Sequence, residues 1–177
     1  MLNRRSIAVA LIVLAAAACR LVPHVPNVTP IIAVGVFGGA YLRNTFWAFV
    51  VVFVSMFVSD LVLGLHSTMF FVYTSLFLAI FAGSIVKDKS GFLPLLTVTC
   101  ASSTVFFVWT NFGVWLVEGL YPKTLSGLLL CYGAAIPFYV TQLIGDAFFI
   151  SLLFAVFLVF EKLYFLQQPR YVMRNAS

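Results

Sequence analysis

The sequence predicts an all-α integral membrane protein, a bundle of six transmembrane helices. Of its 177 residues 63% are hydrophobic and only 8% are charged, and the mean hydropathy is +1.13. A soluble domain could not expose so apolar a surface to water. The net charge of +5 comes from Lys and Arg residues scattered between apolar stretches rather than gathered on one face. That distribution argues against nucleic acid as a partner and indicates orientation in a lipid bilayer.

Six apolar segments follow one another along the chain. Their expected bounds are 6–21, 30–42, 44–63, 68–86, 92–109 and 128–160. A helix needs about 20 residues to cross about 30 Å of hydrocarbon. The second segment is too short to cross alone, so a re-entrant segment is its alternative. We expect one transmembrane domain over residues 1–160 and a polar cytoplasmic tail over 161–177.

The distribution of positive charge favours six crossings. If the N-terminus is cytoplasmic and every segment spans, eight Lys and Arg residues lie inside, and only Arg20 and Lys123 lie outside. This asymmetry agrees with the positive-inside rule. Without a crossing by the second segment, Lys87 and Lys89 would also lie outside. We therefore expect a multi-pass protein with both termini in the cytoplasm.

The first segment has a second interpretation. Arg4 and Arg5 precede an apolar stretch that ends in alanines and Cys19, an order also found in cleaved signal peptides and lipoprotein anchors. We favour a retained helix, because Arg20 follows Cys19 directly. Cleavage would leave the remaining topology unchanged.

The connection to the second segment contains three prolines between residues 23 and 30. Each proline fixes φ and restricts the residue before it, so the connection should be stiff. Thr29 could cap a helix that starts at Pro30. One interpretation is a rigid linker, and the other is a preorganised lid whose His24 or Asn27 touches a solute.

Gly35 and Gly39 form a GxxxG pair in the second segment. Small residues four apart let two helices approach closely in lipid. Internal packing is the simpler interpretation, and a docking surface for a partner subunit is the alternative.

Asp60 lies near the end of the third segment, where Gly64 can terminate the helix. A carboxylate in an apolar helix costs roughly 2.5–3.5 kcal/mol on insertion scales, so such groups face a protein interior or a wet cavity. Asp60 could form a structural ion pair with Arg20 or His66, or it could bind a polar group of a solute. The sequence leaves both open.

The last segment carries a polar stripe. Tyr139, Gln142 and Asp146 are spaced to share one helix face, and Pro137 should bend or begin the membrane-spanning helix, after a separate piece that contains Tyr132.

A second stripe, Thr97, Thr104 and Asn111, repeats every seven residues in the fifth segment. If the two helices are adjacent, these stripes could line an outward cavity or hydrogen-bond to each other.

The chain lacks the motifs of common membrane enzymes and pumps. It has no P-loop, HExxH or GxSxG, and its three cysteines form no CxxC pair. We therefore expect neither an enzyme nor a cofactor or metal site. Transport energy would have to come from a partner.

Short motifs continue in order along the chain. They are F-G-G-A at 37–40, S-D at 59–60, N-F-G-V-W at 111–115, Y-P at 121–122, A-I-P-F at 135–138 and G-D at 145–146. In order and combination they resemble an uncharacterised bacterial family of six-span membrane proteins (DUF6580-like). That family is in turn similar to the substrate-binding S components of energy-coupling factor (ECF) transporters.

The resemblance implies a location in the bacterial cytoplasmic membrane and capture of a vitamin-like small molecule from outside. The captured solute would be passed inward by toppling of the subunit within a complex of a membrane T subunit and two ATPases. The chain departs from the S-component pattern in two ways. Its first segment lacks a clean AxxxA pattern, because Cys19 stands four residues after Ala15. The chain also lacks the Met-His start of the nickel and cobalt versions, which disfavours a metal substrate.

The predicted function is therefore solute capture in an outward pocket, in which aromatic faces hold a ring while polar groups orient it. The candidate substrate-binding residues are Asp60, His66, Trp109, Asn111, Trp115, Tyr132, Tyr139, Gln142 and Asp146. The alternative is a non-transporting membrane scaffold or assembly protein whose polar residues form a structural network.

Overall fold

The computed structural model describes residues 4–21, 28–42, 44–86 and 91–167, and side chains between residues 6 and 163 within these ranges. In this part of the chain there are six α-helices and no strand. They are α1 Arg4–Ala18, followed by the 3₁₀ turn Cys19–Leu21, then α2 Ile31–Tyr41, α3 Thr45–Leu63, α4 Met69–Ile85, α5 Phe92–Val117 and α6 Leu125–Gln167. Positions His24 and Asn27 of the predicted lid lie outside the described residues.

The all-α class and the order of the six helices are confirmed. Three helical segments are long and apolar enough to cross a membrane, namely α3, α5 and Leu125–Leu163 of α6. The helices α1, α2 and α4 are apolar but shorter. We call the end at which α1, α3 and α5 finish the upper end of the bundle, and the opposite end the lower end.

The last two helices are longer than predicted. α5 continues eight residues past the expected end at Trp109, to Val117, and α6 runs without interruption from Leu125 through Pro137 to Gln167. The predicted start of a separate helix at Pro137 is therefore wrong. Proline removes one backbone hydrogen bond, but a long helix packed against neighbours can tolerate that loss. The helix also extends seven residues beyond the expected domain boundary at residue 160.

Helix α2 is a short central helix surrounded by the other five. Ten of its eleven residues are buried, and it contacts α1, α3, α4, α5 and α6. At 1.5 Å per residue it is about 16 Å long, roughly half of a 30 Å hydrocarbon layer. Gly35 lies against Ala79 and Gly39 against Ile80, so α2 runs parallel to α4. The helix therefore fills only the lower half of the bundle.

Glycines bring α2 and α4 into backbone contact. A Cβ atom at Gly39 would overlap the carbonyl oxygen of Ile80, and one at Gly83 would overlap that of Val36. A Cβ atom at Gly35 would meet the side chains of Leu76 at 2.9 Å and of Ala79 at 3.3 Å on the same helix. The GxxxG pair is thus used for internal packing, and the docking surface considered as its alternative is wrong, because both glycines are buried.

Aromatic rings close the lower end of α2. The ring of Tyr41 lies 4.7 Å from that of Phe37 and 4.3 Å from that of Phe157 on α6, measured between centroids. Phe37 and Phe157 are almost completely buried. Such ring pairs contribute about 0.5–1.5 kcal/mol each beyond the area they bury. The lower half of the bundle is therefore a tightly packed apolar core.

Candidate functional site

Polar side chains gather around the first turn of α2. Gly38 lies against Val13 of α1 and Val52 of α3, which fixes the relative height of the three helices. Two turns further up, the first turn of α2 is level with Arg20 and Asp60. Direct hydrogen bonds place other polar groups at this height. We call this set the polar layer, and it comprises Arg20, Ser59, Asp60, Tyr73, Ser103, Gln142 and Asp146.

Asp60 is held by groups from two other elements. Its Oδ1 accepts a hydrogen bond of 2.9 Å from Arg20 Nη1, and its Oδ2 accepts one of 2.7 Å from the hydroxyl of Tyr73 on α4. The same Arg20 nitrogen donates to Ser59 Oγ at 2.6 Å and lies 3.4 Å from Met56 Sδ. Asp60 is 1% exposed. Of the two ion-pair partners considered for Asp60, the structure selects Arg20.

Asp146 joins α6 to α5 and to the start of α2. Its Oδ2 accepts a 2.6 Å hydrogen bond from Ser103, and the side chain of Gln142 and the backbone N–H of Ala33 lie close enough to interact favourably with the carboxylate. Gln142 donates in addition to the Ser103 carbonyl at 3.2 Å. Asp146 is 1% exposed. The groups around this buried carboxylate are neutral, so none of them supplies a full counter-charge.

The start of α2 therefore depends on a distant residue. Pro30 occupies the N-cap position and no side chain caps the helix locally, so the capping predicted for Thr29 is wrong. The carboxylate of Asp146 supplies an acceptor instead, where the helix dipole favours a negative charge. Gly145 lets the chain before α2 approach α6 closely, because a Cβ there would lie 3.1 Å from Val28 Cα.

The two candidate tryptophans lie on the upper half of α5. Trp109 donates its indole N–H to Thr74 Oγ1 at 2.8 Å and stacks on Phe112. Trp115 donates to the Pro122 carbonyl at 2.9 Å, and the Lys123 ammonium lies 5.3 Å from its ring centroid. Tryptophan at such positions is typical of the interface between hydrocarbon and headgroups.

The two candidate tyrosines lie in the seam between α5 and α6. Tyr132 donates to the Val108 carbonyl at 2.8 Å, and the hydroxyls of Tyr139 and Thr104 are 2.8 Å apart. The two predicted stripes are thus adjacent, and this pair bonds across the seam. Such bonds contribute about 0.6 kcal/mol each in membranes.

His66 and Asn111 make local contacts. Nδ1 of His66 is 3.0 Å from Thr68 Oγ1 in the exposed connection before α4. The Asn111 amide donates to the carbonyl of Phe107, one turn earlier in its own helix, at 2.8 Å.

The structure therefore distributes the nine candidate residues over several places. Asp60, Gln142 and Asp146 belong to the polar layer, the tyrosines to the α5–α6 seam, and the tryptophans to the upper part of α5. Asn111 and His66 stand apart from these groups.

Sequence reasoning did not name four members of the polar layer as binding residues, and Ser59 entered it only as part of a short motif. Arg20 was considered only as one partner for Asp60, while Tyr73 and Ser103 were not singled out. The heptad stripe on α5 pointed to Thr104, yet Ser103 is the fully buried residue that reaches Asp146. A shift of one residue turns a helix by about 100°, so a stripe alone does not fix the buried side. The best available signal for Arg20 was its position as a single cation within apolar sequence.

Two adjoining grooves mark the apolar surface between α4 and α5. Their volumes are about 320 Å³ and about 420 Å³, and Leu78 and Val105 line both. Small residues such as Ala82 and Ala101 line the first groove together with larger apolar ones such as Phe81. This surface is suited to lipid chains.

Comparison with known proteins places the chain in one uncharacterised family. The model of DUF6580, described as a family of unknown function, matches residues 1–169. Neither a curated protein nor a solved structure matches the chain.

Proposed function

The chain belongs to DUF6580, a family of unknown function, and we propose that it is the solute-binding membrane subunit of an uptake system. Its upper end faces the exterior, both termini lie in the cytoplasm, and all six helices embed in the bacterial cytoplasmic membrane. The solute is a small organic molecule that enters from the upper end and is bound at the polar layer.

The observation that carries this proposal is the polar layer itself. An ion pair inside a hydrophobic bundle gains little stability, because desolvation offsets most of the attraction between the charges. Apolar residues of similar volume would hold α1 and α3 together at least as well. Charged residues inside membrane bundles usually mark a pathway for ions or substrates. The Arg20–Asp60 pair is therefore better explained by binding than by packing.

The position of α2 supports the same proposal. The helix begins within the bundle, and its first turn carries the positive end of a helix dipole. Discontinuous helices that end near the middle of the membrane commonly form solute sites in transporters. Here the residues around that helix end come from α1, α3, α4, α5 and α6.

The proposed partners follow from the sequence. The chain contains no nucleotide-binding motif of its own. Its resemblance to ECF S components suggests a membrane T subunit and ATPase subunits as the source of energy. The chain binds and releases the solute, and its partners drive the cycle.

Native mass spectrometry of the gently purified protein tests the proposal. We expect the wild-type protein to retain a small molecule, and Asp60→Asn to lose it because one hydrogen-bonding and charged oxygen is removed. Glu118→Gln is the matched control, since this carboxylate is exposed and bonds only with Ser67 among described residues. An empty wild-type protein would contradict solute capture.

A structural role for the polar network is the second candidate. One observation favours it: within the described ranges, no buried side-chain nitrogen or oxygen lacks a hydrogen-bond partner. In that case the wild-type protein carries no solute, and Asp60→Asn changes only stability.

A further inference from the structure

Resting on the proposed function, we infer that the captured solute is an organic cation, such as a protonated amine or a cationic ring, and that its positive charge replaces Arg20 at Asp60. Before the solute arrives, the guanidinium occupies the cation position. On binding, Arg20 leaves the carboxylate and the solute takes over its hydrogen bonds.

The geometry distinguishes a fixed anion from a displaceable cation. Asp60 lies in the last turn of α3, and Tyr73 holds its Oδ2 from α4 at 2.7 Å. Arg20 lies on the 3₁₀ turn after α1, and its side chain is 11% exposed against 2% for that of Asp60. A long arginine side chain can swing to water, whereas a carboxylate anchored from two helices cannot. Oδ1 of Asp60, Oγ of Ser59 and Sδ of Met56 would change partner, and the bond from Tyr73 would stay.

The charge of the polar layer has the sign that attracts a cation. Helices α2, α4 and α5 contain no charged residue, and α3 contains only Asp60. The layer thus holds two carboxylates, Asp60 and Asp146, against one guanidinium, that of Arg20. The dipole of α2 contributes roughly half a positive charge near Asp146. Once Arg20 has left, no other basic residue of the polar layer faces the Asp60 carboxylate, so a bound cation is attracted and a bound anion is repelled at low dielectric.

Soft and aromatic groups border the same position. The rings of Tyr73 and Phe53 meet edge to face with centroids 5.4 Å apart. The thioether of Met56 already contacts the guanidinium at 3.4 Å. Aromatic faces attract organic cations by about 0.5–2 kcal/mol, more when the cation is desolvated. A carboxylate beside such rings suits an organic cation rather than a small metal ion.

Three probes of equal shape test the sign of the charge. Benzamidine is cationic at neutral pH, benzamide is neutral, and benzoate is anionic. We expect millimolar benzamidine to displace the solute retained by the wild-type protein in native mass spectra, while benzamide and benzoate leave it bound. Displacement by benzoate, or none by benzamidine, would overturn the inference without affecting solute capture. A wild-type protein without solute would overturn both.

An arginine variant gives an effect of opposite sign for the two kinds of solute. If Arg20 competes with a cation, Arg20→Gln frees Asp60, and the solute should bind more tightly. When the ion pair is closed in about nine wild-type molecules of ten, the concentration at which dilution releases half of the solute should fall roughly tenfold in the variant. If Arg20 itself binds an anion, the same variant releases the solute. The double variant Arg20→Gln and Asp60→Asn is the control for loss of folding, because it removes both charges of the pair and leaves neither unpaired. This double variant should fold and bind no solute, and retention of the solute by it would refute the exchange.

Discussion

The lower half of the bundle and the polar layer surround α2 with opposite kinds of contact. Below, glycines let α2 touch the backbone of α4, and the rings of Phe37, Tyr41 and Phe157 fill the remaining space. Above, the first turn of α2 meets carboxylates, hydroxyls and a guanidinium. Close apolar packing stabilises a membrane bundle without any desolvation cost, whereas buried charges gain little. We therefore expect the lower half to fix the fold, and this contrast is the basis of the proposal that the polar layer binds a solute.

Separating the buried ion pair should give the largest effect. Asp60→Asn leaves the guanidinium of Arg20 without its counter-ion, which typically costs about 3–5 kcal/mol while the guanidinium stays buried, and less once it swings to water. Thermal unfolding in detergent should show a large drop in the midpoint. Adding Arg20→Gln should recover most of this loss. If the double variant is as unstable as the single one, the ion pair itself stabilises the bundle. That result would contradict the view that only the lower half fixes the fold.

The second-largest loss of stability is expected when the glycine contact between α2 and α4 is filled. Gly39→Ala places a methyl group against the Ile80 carbonyl, and overpacking of this kind costs about 1–3 kcal/mol. Gly133→Ala is the matched control, because nothing lies within 4 Å of its Cβ position on α6. That change should be neutral or slightly stabilising, since alanine favours helix more than glycine does. Equal unfolding midpoints for the two variants would contradict tight packing of α2 on α4.

Removing the charge at the start of α2 should have a smaller effect. Asp146→Asn keeps an oxygen for the Ala33 N–H but loses the favourable interaction with the helix dipole, worth about 0.3–1 kcal/mol and up to about 2 kcal/mol when partly buried. Hydrogen exchange of the α2 amides should speed up near Ala33 and stay slow near Tyr41. Uniform acceleration along α2 would show that Asp146 does not act as a local cap.

A substitution in the α5–α6 seam should have the smallest effect on stability. Tyr139→Phe removes one hydrogen bond to Thr104, and such bonds average about 0.6 kcal/mol in membranes. The unfolding midpoint should fall only slightly, and solute retention should not change, because this hydroxyl lies outside the polar layer. Loss of solute in this variant would move the binding site into the seam.

Labelling of introduced cysteines tests which end faces outward. In a background without Cys19, Cys100 and Cys131, Leu65→Cys should react with an impermeant maleimide added to whole cells. Gly91→Cys should react only after the membrane is opened, because it lies at the lower end before α5. Reversed reactivity would place the polar layer nearer the cytoplasm and contradict capture from outside.

The sequence by itself determined the helices. Apolar runs of fixed length have few alternatives in a chain that must satisfy its backbone in lipid, so the bounds of α3 and α4 agree with prediction to within a residue or two. The sequence was less informative about the last two helices. The apolar run predicted an end of α5 at Trp109, and Pro137 predicted an interruption, yet both helices continue past these residues. Local preference was overridden there by packing against a neighbouring helix.

Only the tertiary structure decided which polar groups meet. The sequence identified Asp60 and Asp146 as unusual, but it could not choose between Arg20 and His66, nor find Ser103 or the N–H of Ala33. Those choices depend on the rotation and relative height of helices whose meeting residues are 40 to 113 positions apart in the chain, from Arg20 and Asp60 to Ala33 and Asp146. Helix rotation and height in a bundle are set by the glycine contacts and interlocking side chains of all neighbours together, which no single segment encodes.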